Sequence, residues 1–444
     1  MLEFHLESFG MKLCVIGTGY VGLVAGTCLA DMGNNVICVD NNEDKISKLK
    51  NGIIPIYEPG LEELIKINVK ENRLVFSSDL ATAVKKSDVC FISVATPQDT
   101  DGSCDLDAVI NVAKEIAKNL NNYKVIVNKS TVPVGTAESL SKIIKEITDV
   151  EFDLVSNPEF LKQGAAIDDF LSPDRVIIGS DSERASKIMN DIYSPYFKTS
   201  NRIIFMDVKS AEMTKYVANA FLATKISFIN EMANICEKVG ANIEKVRIGI
   251  SADSRIGNKF LFPGIGFGGS CFPKDVSALI SVAKENNTEC NMLEAIRTIN
   301  INQRKLFIEK ILNHYKNNIK DKTFAVWGLS FKPKTNDMRE APSIDIINSL
   351  LKHGAKVKAY DPQATENAKL IFGNTIEYAI SAYDTLENAN ALILLTEWNE
   401  FRKPDLEKIK NKLKDSIIFD GRNQYNPTEL QSFGLTSINI GNSK

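Results

Sequence analysis

Short apolar segments alternate with helical patterns along the first half of the chain. Uninterrupted apolar segments of this length, separated by helices, are typical of parallel strands that are buried on both faces of a sheet. Each segment ends in a polar or Gly/Pro-rich stretch, and such sheets bind ligands at the carboxyl ends of their strands. The pattern therefore predicts a ligand-binding parallel sheet wrapped by helices. Its predicted strands are KLCVIG, NVICVD, DVCFISV, KVIVNKS, FDLVSN and RVIIG.

Residues 210–240 predict one long helix, because they contain no proline and no internal glycine. Apolar residues recur around much of its circumference, so we expect the helix to be largely buried and to serve as a structural spine or a dimer seam. After residue 320 the alternation of strands and helices returns, which predicts a second, smaller sheet. Its predicted elements are KTFAVWGL, APSIDIINSLLKHG, AKVKAYDP, NALILLTE and SIIFDGRN.

The predicted fold class is α/β, with two Rossmann-like, doubly wound sheet domains joined by a long central helix. We expect an N-terminal extension at residues 1–10, because the first strand directly follows Met11. The first sheet domain is predicted at residues 11–200, a central helical domain at 201–310 and the second sheet domain at 311–444. A chain of 444 residues is expected to form two or three domains.

A glycine loop stands between the first predicted strand and the helix that follows it. In KLCVIGTGYVG, Gly17 permits a tight turn, Gly19 lets the backbone approach a pyrophosphate, and Gly22 lets the helix pack closely on the strand. The helix N-terminus offers N–H donors to the phosphates. Asp40 ends the next strand, where a carboxylate accepts hydrogen bonds from a ribose 2′-OH and repels a 2′-phosphate. The first domain is therefore predicted to bind NAD rather than NADP.

A second G-x-G-x-x-G match, at Gly264, Gly266 and Gly269, lies in FPGIGFGGSCFPKD. Pro263 interrupts the segment before it, so no core strand precedes the glycines, and the dinucleotide context is absent. Glycine also lets backbone approach a ligand closely. We interpret the segment as a ligand-binding loop that places Cys271 at the start of a helix. There the helix N-terminus and a neighbouring lysine favour a nucleophilic thiolate.

Composition and charge argue against several other classes of function. The formal net charge is -3, so the chain lacks the basic surface with which proteins bind nucleic acid or anionic membranes. No apolar run reaches 18 residues, and the first ten residues do not resemble a signal sequence. The other seven cysteines are scattered, several of them in apolar runs, which indicates a reducing cytoplasm. Three histidines far apart, without C-x-x-C pairs, predict no metal site.

On the long predicted helix, Lys215, Asn219, Leu222 and Ile226 share one stripe. The polar ends of Lys215 and Asn219 either extend to solvent or serve a site, and helix geometry leaves both explanations open. An ammonium and a carboxamide together suit an oxyanion or a developing alkoxide. NAD and a nucleophilic cysteine together suggest oxidation beyond the aldehyde. A thiohemiacetal would lose hydride, and water would hydrolyse the resulting thioester.

Seven segments, in order from Met11 nearly to the C-terminus, resemble the UDP-glucose 6-dehydrogenases of the UDP-glucose/GDP-mannose dehydrogenase family. The resemblance implies that a cytoplasmic homodimer, joined through the central helix, oxidises UDP-glucose to UDP-glucuronate with two NAD. The first domain would bind NAD, the central domain would carry the nucleophile, and the last domain would bind the UDP-sugar. The segments are GTGYVGL, STVPVGT, NPEFL, KYVANAFLATKISFINE, DSRIG, FGGSCFPKD and GLSFKPKTNDMRE.

Three alternatives stay open at this point. The related UDP-N-acetyl-hexosamine 6-dehydrogenases typically have a histidine before the cysteine, where this chain has Ser270. A two-electron β-hydroxyacid dehydrogenase also uses a helical lysine and asparagine. The alternative from a different class is a catalytically silent NAD-binding regulatory protein, against which the intact set of Cys271, Lys215, Asn219 and Asp275 argues.

The resemblance also implies the site residues. Arg255 is expected to cross from a partner subunit, and Gln163 stands where the family usually has a glutamate, which leaves the role of base to Glu159. The implied catalytic residues are Cys271 as nucleophile, Lys215 and Asn219 for oxygen charge, Asp275 to place the hydrolytic water or hold Lys215, Thr131 to position a water, and Glu159 as base. The implied NAD-binding residues are Gly17, Gly19, Val21, Gly22, Asp40, Lys45, Thr96, Thr131, Lys274 and Arg339. The implied substrate-binding residues are Glu159, Phe160, Leu161, Gln163, Lys215, Asn219, Arg255, Phe260, Leu261, Phe262, Pro263, Gly264, Gly268 and Lys332.

Overall fold

The computed structural model describes residues 10–99, 101–197 and 202–442. The chain folds as two compact units, one ending at Val217 and the other beginning at Ala218, so the boundary lies within the long helix. Of the extension expected at residues 1–10, all but Gly10 lies outside the described residues. The division into three domains stays a prediction.

The first unit is built on an eight-stranded sheet. Its strands are β1 (Lys12–Ile16), β2 (Asn35–Val39), β3 (Leu74–Ser77), β4 (Val89–Ile92), β5 (Lys124–Asn128), β6 (Phe152–Ser156), β7 (Val176–Gly179) and β8 (Ile203–Met206). Across the sheet the order is β3-β2-β1-β4-β5-β6-β7-β8. The pairings are parallel except that β6 and β7 meet antiparallel at Ser156 and Gly179, a reversal that the sequence did not predict.

Helices cover both faces of this sheet, because its strands are apolar on both sides. Along β1, Leu13 and Val15 pack into one core, whereas Cys14 and Ile16 pack into a second core on the other face. The helices are α1 (Tyr20–Asp31), α2 (Glu43–Lys50), α3 (Leu61–Lys70), α4 (Leu80–Lys86), α5 (Asp107–Asn119), α6 (Thr136–Lys145), α7 (Ala166–Leu171) and α8 (Glu183–Tyr193). The first six strands have the order of a Rossmann fold.

A single long helix, α9 (Val208–Val239), leads from the first unit into the second. The predicted span of 210–240 is therefore confirmed within two residues. The helix is buried along much of its circumference, as expected, but Phe221, Phe228, Ile235 and Val239 are exposed in the single chain. Their spacing of seven, seven and four residues places them on one face, which the described residues leave exposed.

The second unit contains a six-stranded sheet with parallel pairings. Its strands are β9 (Thr323–Trp327), β10 (Lys356–Tyr360), β11 (Glu377–Tyr378), β12 (Ala391–Leu394), β13 (Ile417–Asp420) and β14 (Thr436–Ile438). The order is β11-β10-β9-β12-β13-β14, again that of a Rossmann fold, so the predicted fold class is confirmed.

Seven further helices belong to the second unit. They are α10 (Ile243–Ser251), α11 (Phe272–Glu285), α12 (Asn291–His314), α13 (Pro342–Lys352), α14 (Thr365–Phe372), α15 (Leu406–Lys412) and α16 (Pro427–Ser432). Among the helices of the described ranges, none has both the length and the apolar character that a bilayer crossing requires.

Candidate active site

The glycine loop of the first unit has the shape that a dinucleotide requires. Gly17 has a φ of +99°, and a Cβ there would lie 2.6 Å from the carbonyl oxygen of Ser93. A Cβ on Gly19 would meet no atom within 4 Å, so the backbone at this position is open to a ligand. Gly19 is also the N-cap of α1, and Val21 lies half-buried in its first turn. A pyrophosphate would therefore meet free N–H groups at this helix end.

Asp40, at the end of β2, is held in place beside this loop. Its Oδ2 accepts hydrogen bonds of 2.8 Å from the backbone N and the Oγ1 of Thr18, and from Nζ of Lys45. Burial disfavours a charge here, but the donors from Lys45 and Thr18 outweigh it and lower the pKa of Asp40. The carboxylate is therefore ionised at neutral pH, as selection against a 2′-phosphate requires. These residues fit NAD.

The segments that follow β4, β5 and β6 meet at the same edge of the sheet. Thr96 Oγ1 donates to the carbonyl oxygen of Thr131 over 2.9 Å, which brings together two of the residues predicted to bind NAD. Lys129, two residues before Thr131, forms a buried ion pair of 2.9 Å with Oε2 of Glu159. Burial alone would lower the pKa of Lys129, but the Glu159 carboxylate raises it above its usual value.

Glu159 is engaged at both carboxylate oxygens. While Oε2 pairs with Lys129, Oε1 accepts hydrogen bonds from the backbone N of Phe160 at 2.6 Å and of Leu161 at 2.8 Å. A carboxylate with all these partners is well suited to fix the 159–161 segment and poorly suited to shuttle a proton. Its predicted role as base stays a prediction. Gln163 lies half-buried farther along the same segment.

Lys215 is buried on α9 and extends its Nζ to 5.0 Å from the centre of the Phe160 ring. A lysine that reached for solvent would leave its ammonium exposed, so this position disfavours the first of the two explanations given for the polar stripe. Contact with an aromatic face stabilises the ammonium without neutralising it. Lys215 therefore offers a positive charge beside Phe160, one of the residues predicted to bind substrate.

In the second unit, Cys271 caps the N-terminus of α11, as the sequence predicted. It is the exposed member of the eight cysteines, all of which lie in described parts of the chain. Its Sγ lies 3.7 Å from Oγ of Ser270. Five other cysteines are buried, and Cys104 and Cys290 are half-buried. The thiol at the helix end is thus the accessible nucleophile.

Asp275, one turn into α11, contacts two other predicted site residues, Asn219 and Lys274. Its Oδ2 accepts a hydrogen bond of 2.6 Å from Nδ2 of Asn219, and its Oδ1 lies 2.8 Å from Nζ of Lys274. Because Asp275 and Asn219 are both buried, this contact fixes the orientation of the Asn219 carboxamide. Lys274 follows the thiol closely in sequence, but its ammonium forms an ion pair with Asp275.

The glycines before Cys271 are required by close packing. A Cβ on Gly268 would overlap the carbonyl oxygen of Glu340, and the non-glycine residue Phe260 has a φ of +63° at the start of the segment. Leu261, Pro263 and Gly264 are buried, whereas Phe262 is exposed.

The remaining predicted residues lie in loops. Arg339 makes a bidentate contact with Asp337, which raises the pKa of the guanidinium against the opposing effect of burial. Lys332 is half-buried after β9. Arg255 is exposed and paired with Asp253.

Comparison with known proteins identifies the family. Sequence models of the NAD binding, central and UDP binding domains of the UDP-glucose/GDP-mannose dehydrogenase family match residues 11–197, 209–302 and 325–427. The chain belongs to the UDP-glucose/GDP-mannose dehydrogenase family. It therefore contains the NAD-binding domain of that family at its first sheet and the UDP-binding domain at its second, and the prediction of NAD is confirmed.

Individual members of the family align over nearly the whole chain. The UDP-glucose 6-dehydrogenase TuaD of Bacillus subtilis is 49% identical, with 97% of this chain and 93% of that protein covered. A UDP-glucose 6-dehydrogenase of Rhizobium meliloti is 46% identical over 97% and 99%. Among solved structures, a UDP-glucose dehydrogenase of Pyrobaculum islandicum superposes with a TM-score of 0.88 at 33% identity, covering 94% of this chain and 96% of its own.

Two buried glutamates beside the family's site segments were not predicted from the sequence. Glu58 accepts hydrogen bonds from Tyr20 Oη and from the backbone N of Gly164 at 2.6 Å and Ala166 at 2.7 Å, and so holds the segment after Glu159. Glu212 accepts from the backbone N of Gly135 at 2.7 Å and Ala137 at 2.9 Å, and holds the segment after Thr131. Their backbone partners lie 75 to 108 residues away in sequence, which no local pattern reveals.

Proposed function

We propose that this chain is an NAD-dependent UDP-glucose 6-dehydrogenase that oxidises the 6-hydroxyl of UDP-glucose to the carboxylate of UDP-glucuronate. The observation that carries the proposal is Cys271, an exposed thiol at the N-terminus of α11. An enzyme that stopped at the aldehyde would need no such nucleophile. Identities of 43–49% to proteins named UDP-glucose 6-dehydrogenase support the choice of sugar.

Bound NAD, held at Gly17, Gly19, Gly22 and Asp40, supplies the acceptor for the hydride of each oxidation. Cys271 holds the sugar between the two oxidations. Its sulfur bonds to C6 of the aldehyde while the carbonyl oxygen takes up a proton, which gives a thiohemiacetal. Loss of a hydride and a proton leaves a thioester. Water then attacks C6, the C–S bond breaks, and the thiol is restored as the carboxylate forms.

The neighbouring polar residues stabilise charge on the C6 oxygen. We assign the Asn219 carboxamide, oriented by Asp275, and the Lys215 ammonium to this role. We assign Thr131 and Asp275 to the positioning of water. Glu159 holds the 159–161 segment and Lys129 through its two engaged oxygens, in preference to acting as a mobile base.

We also propose that the protein is a cytoplasmic homodimer joined along α9. The support is the exposed apolar face made by Phe221, Phe228, Ile235 and Val239, a face that a second copy can cover symmetrically. Arg255 is exposed and close in sequence to α9, as a residue that reaches a partner's substrate must be. The free thiols support a reducing compartment.

The proposal is tested by supplying UDP-glucose, UDP-N-acetylglucosamine and UDP-N-acetylmannosamine with NAD or NADP, and by counting reduced cofactor per sugar. We expect two NADH per UDP-glucose, little turnover of the N-acetylated sugars, and poor use of NADP because of Asp40. One NADH per sugar with release of free aldehyde would contradict the thioester route. Equal rates with NADP would contradict the role of Asp40.

A further inference from the structure

The segment that precedes Cys271 is buried without being regular. Residues 263–269 form neither helix nor strand, yet each of them is buried. Buried backbone N–H and C=O groups need hydrogen-bond partners, and a segment of this kind cannot obtain them from its own neighbours. Groups from elsewhere in the chain must therefore supply them, and only part of this supply comes from backbone carbonyls, such as that of Gly421 to Ile265 N.

Four polar side chains, which we call the loop clamp, meet this need: Asn230 on α9 and Asn300, Gln303 and Arg304 on α12. At Gly264, the backbone N donates to Asn230 Oδ1 over 2.8 Å, and the carbonyl oxygen accepts from Gln303 Nε2 over 2.9 Å. All four residues of the clamp are buried. The clamp therefore fixes the two peptide groups that flank Gly264, at the end of the segment predicted to bind substrate.

Asn300 holds both polar groups of one residue, Phe267. Its Oδ1 accepts from the backbone N of Phe267 over 2.8 Å, and its Nδ2 donates to the Phe267 carbonyl oxygen over 3.0 Å. Arg304 donates to the same oxygen over 2.8 Å and to the carbonyl oxygen of Glu340 over 3.1 Å. The fit is close: a Cβ on Gly266, whose φ is +93°, would lie 2.6 Å from Asn300 Oδ1.

Phe267 is the last clamped residue before the thiol. Only Gly268, Gly269 and Ser270 separate it from Cys271. Both glycines are closely packed, since a Cβ on Gly268 would overlap the Glu340 carbonyl oxygen and one on Gly269 would lie 2.7 Å from the Phe331 ring. The position of Cys271 therefore depends largely on how the backbone is held at Phe267. The hydrogen bond of 2.9 Å from Gly269 N to the Arg339 carbonyl oxygen also contributes.

We propose that Asn300 is a positioning residue for the nucleophile: by holding the Phe267 peptide it sets the place of Cys271 relative to a sugar nucleotide bound along residues 260–264. This inference rests on the proposed function. The first oxidation does not use the thiol, whereas capture of the aldehyde does. A displaced thiol therefore lets aldehyde escape, and the yield of NADH falls from two per sugar towards one.

The test compares Asn300→Leu, which removes both hydrogen bonds at similar volume, with Asn300→Asp, which keeps the acceptor for Phe267 N. The matched control is Asn68→Leu, a buried asparagine that bonds to Asp31 and the Leu64 carbonyl and belongs to no proposed site. The measurements are kcat, KM, NADH per UDP-glucose with a hydrazine trap for aldehyde, thermal melting, and the iodoacetamide reaction at Cys271 followed by peptide mass spectrometry without NAD or sugar.

We expect Asn300→Leu to lower kcat for formation of UDP-glucuronate by roughly 100-fold, the usual scale for a misplacement of about 1 Å, while the first oxidation continues and releases aldehyde to the trap. Asn300→Asp should lie between it and the unsubstituted protein. The alkylation rate at Cys271 should change by about threefold or more in Asn300→Leu, since thiol reactivity follows its local surroundings. Asn68→Leu should lower the melting temperature while keeping two NADH per sugar and the original alkylation rate.

Two NADH per sugar and an unchanged alkylation rate in Asn300→Leu would overturn the inference and leave the proposed function standing. If the unsubstituted protein makes no NADH from UDP-glucose, the proposed function fails, and the alkylation rate alone decides on Asn300. Should Asn300→Leu not fold, Asn300→Asp is judged by the same two measurements against Asn68→Leu.

Discussion

Two ion pairs lie among the site segments, and they distinguish their members from the exposed Cys271. Lys129 pairs with Glu159, and Lys274 pairs with Asp275. Removing one member of a buried pair leaves an uncompensated charge, which costs several kcal/mol, so these groups act as fixed points of the site. Cys271 is exposed at a helix end and is free to react. We therefore expect the reaction to depend on the Cys271 thiol. The two ion pairs are expected to hold the surrounding backbone and side chains in place.

Substitution of Cys271 by serine should abolish steady-state NADH production while leaving UDP-glucose binding intact. Serine keeps the size of the side chain, but its hydroxyl ionises far less readily and is a poorer leaving group from an acyl adduct. An ester-linked sugar on residue 271 should therefore accumulate, which intact-mass spectrometry measures. Cys290→Ser is the matched control, because Cys290 is also the N-cap residue of a helix, α12, and should keep normal turnover. Turnover of Cys271→Ser near the original rate would show that Cys271 is not the nucleophile.

At the scale of elements, two short helices of the first unit begin against carboxylates from distant parts of the chain. Glu212, on α9, accepts hydrogen bonds from the backbone N–H groups of Gly135 and Ala137 at the start of α6. Glu58 accepts hydrogen bonds from the backbone N–H groups of Gly164 and Ala166 at the start of α7. A negative charge satisfies the unpaired N–H groups of a helix N-terminus and interacts favourably with its dipole. Each helix thereby fixes the segment that precedes it, which carries Thr131 in one case and Glu159 in the other.

The stability of the first unit should depend on pH through Glu212. Burial raises its pKa to about 7 against the opposing effect of the two N–H donors, with Glu138 and Lys209 as charged neighbours. An unfolded glutamate titrates near ~4.3. Between these values the folded state binds the extra proton, so stability falls as pH rises from about 4.5 to about 7.

Glu212→Gln removes this titration, so its melting temperature should change less between pH 4.5 and pH 8 than that of the unsubstituted protein. Thermal melts followed by circular dichroism measure the difference. Glu62→Gln, at an exposed position on α3, serves as the control and should keep the original pH dependence. Parallel pH profiles for Glu212→Gln and the unsubstituted protein would refute the effect.

The sequence predicted the central strands of both sheets and missed the four at the edges. The missed strands are β3 and β8 in the first sheet and β11 and β14 in the second. Edge strands have one unpaired side and less burial, and Val75, Ile204 and Phe205 are indeed exposed. They are also only two to four residues long, so their apolar pattern is weak. The strand β7 was predicted as RVIIG, but its antiparallel pairing with β6 was not, since an apolar run does not encode the direction of a strand.

Side chains that act through the fold were harder to predict than those that carry chemistry. The glycines, Asp40 and Cys271 stand in local sequence patterns that indicate their roles. The roles of Lys129 and Asn300 depend on contacts with residues that are distant in sequence. One signal was present in α12, where Asn300, Gln303 and Arg304 occupy the same buried stripe as Phe307 and Ile311. Polar residues in the core stripe of a helix need partners, and that need points to an irregular buried segment nearby.

At the scale of the whole molecule, two sheets of the same strand order carry different loops. Asp361 ends β10 as Asp40 ends β2, but it is buried and accepts hydrogen bonds from the backbone N of Leu329 and Ser330 and from Trp398 Nε1. Its other oxygen accepts from Gln363 and Ala364. With both oxygens engaged inside the protein, Asp361 cannot receive a ribose. This agrees with the match of the second sheet to a UDP binding domain.

The exposed apolar face of α9 leads to a prediction about assembly. Burying a phenylalanine side chain contributes about 1.5–3 kcal/mol, and in a two-fold interface each position counts twice. The double substitution Phe221→Ser and Phe228→Ser should therefore convert a dimer into monomers at micromolar concentration, as light scattering after size exclusion would measure. Leu370→Ser, which changes an exposed apolar residue on α14, is the control and should leave the dimer intact. If Arg255 completes the partner's site, the monomer should also lose turnover while Cys271 still reacts with iodoacetamide. A double variant that remains dimeric would place the interface elsewhere.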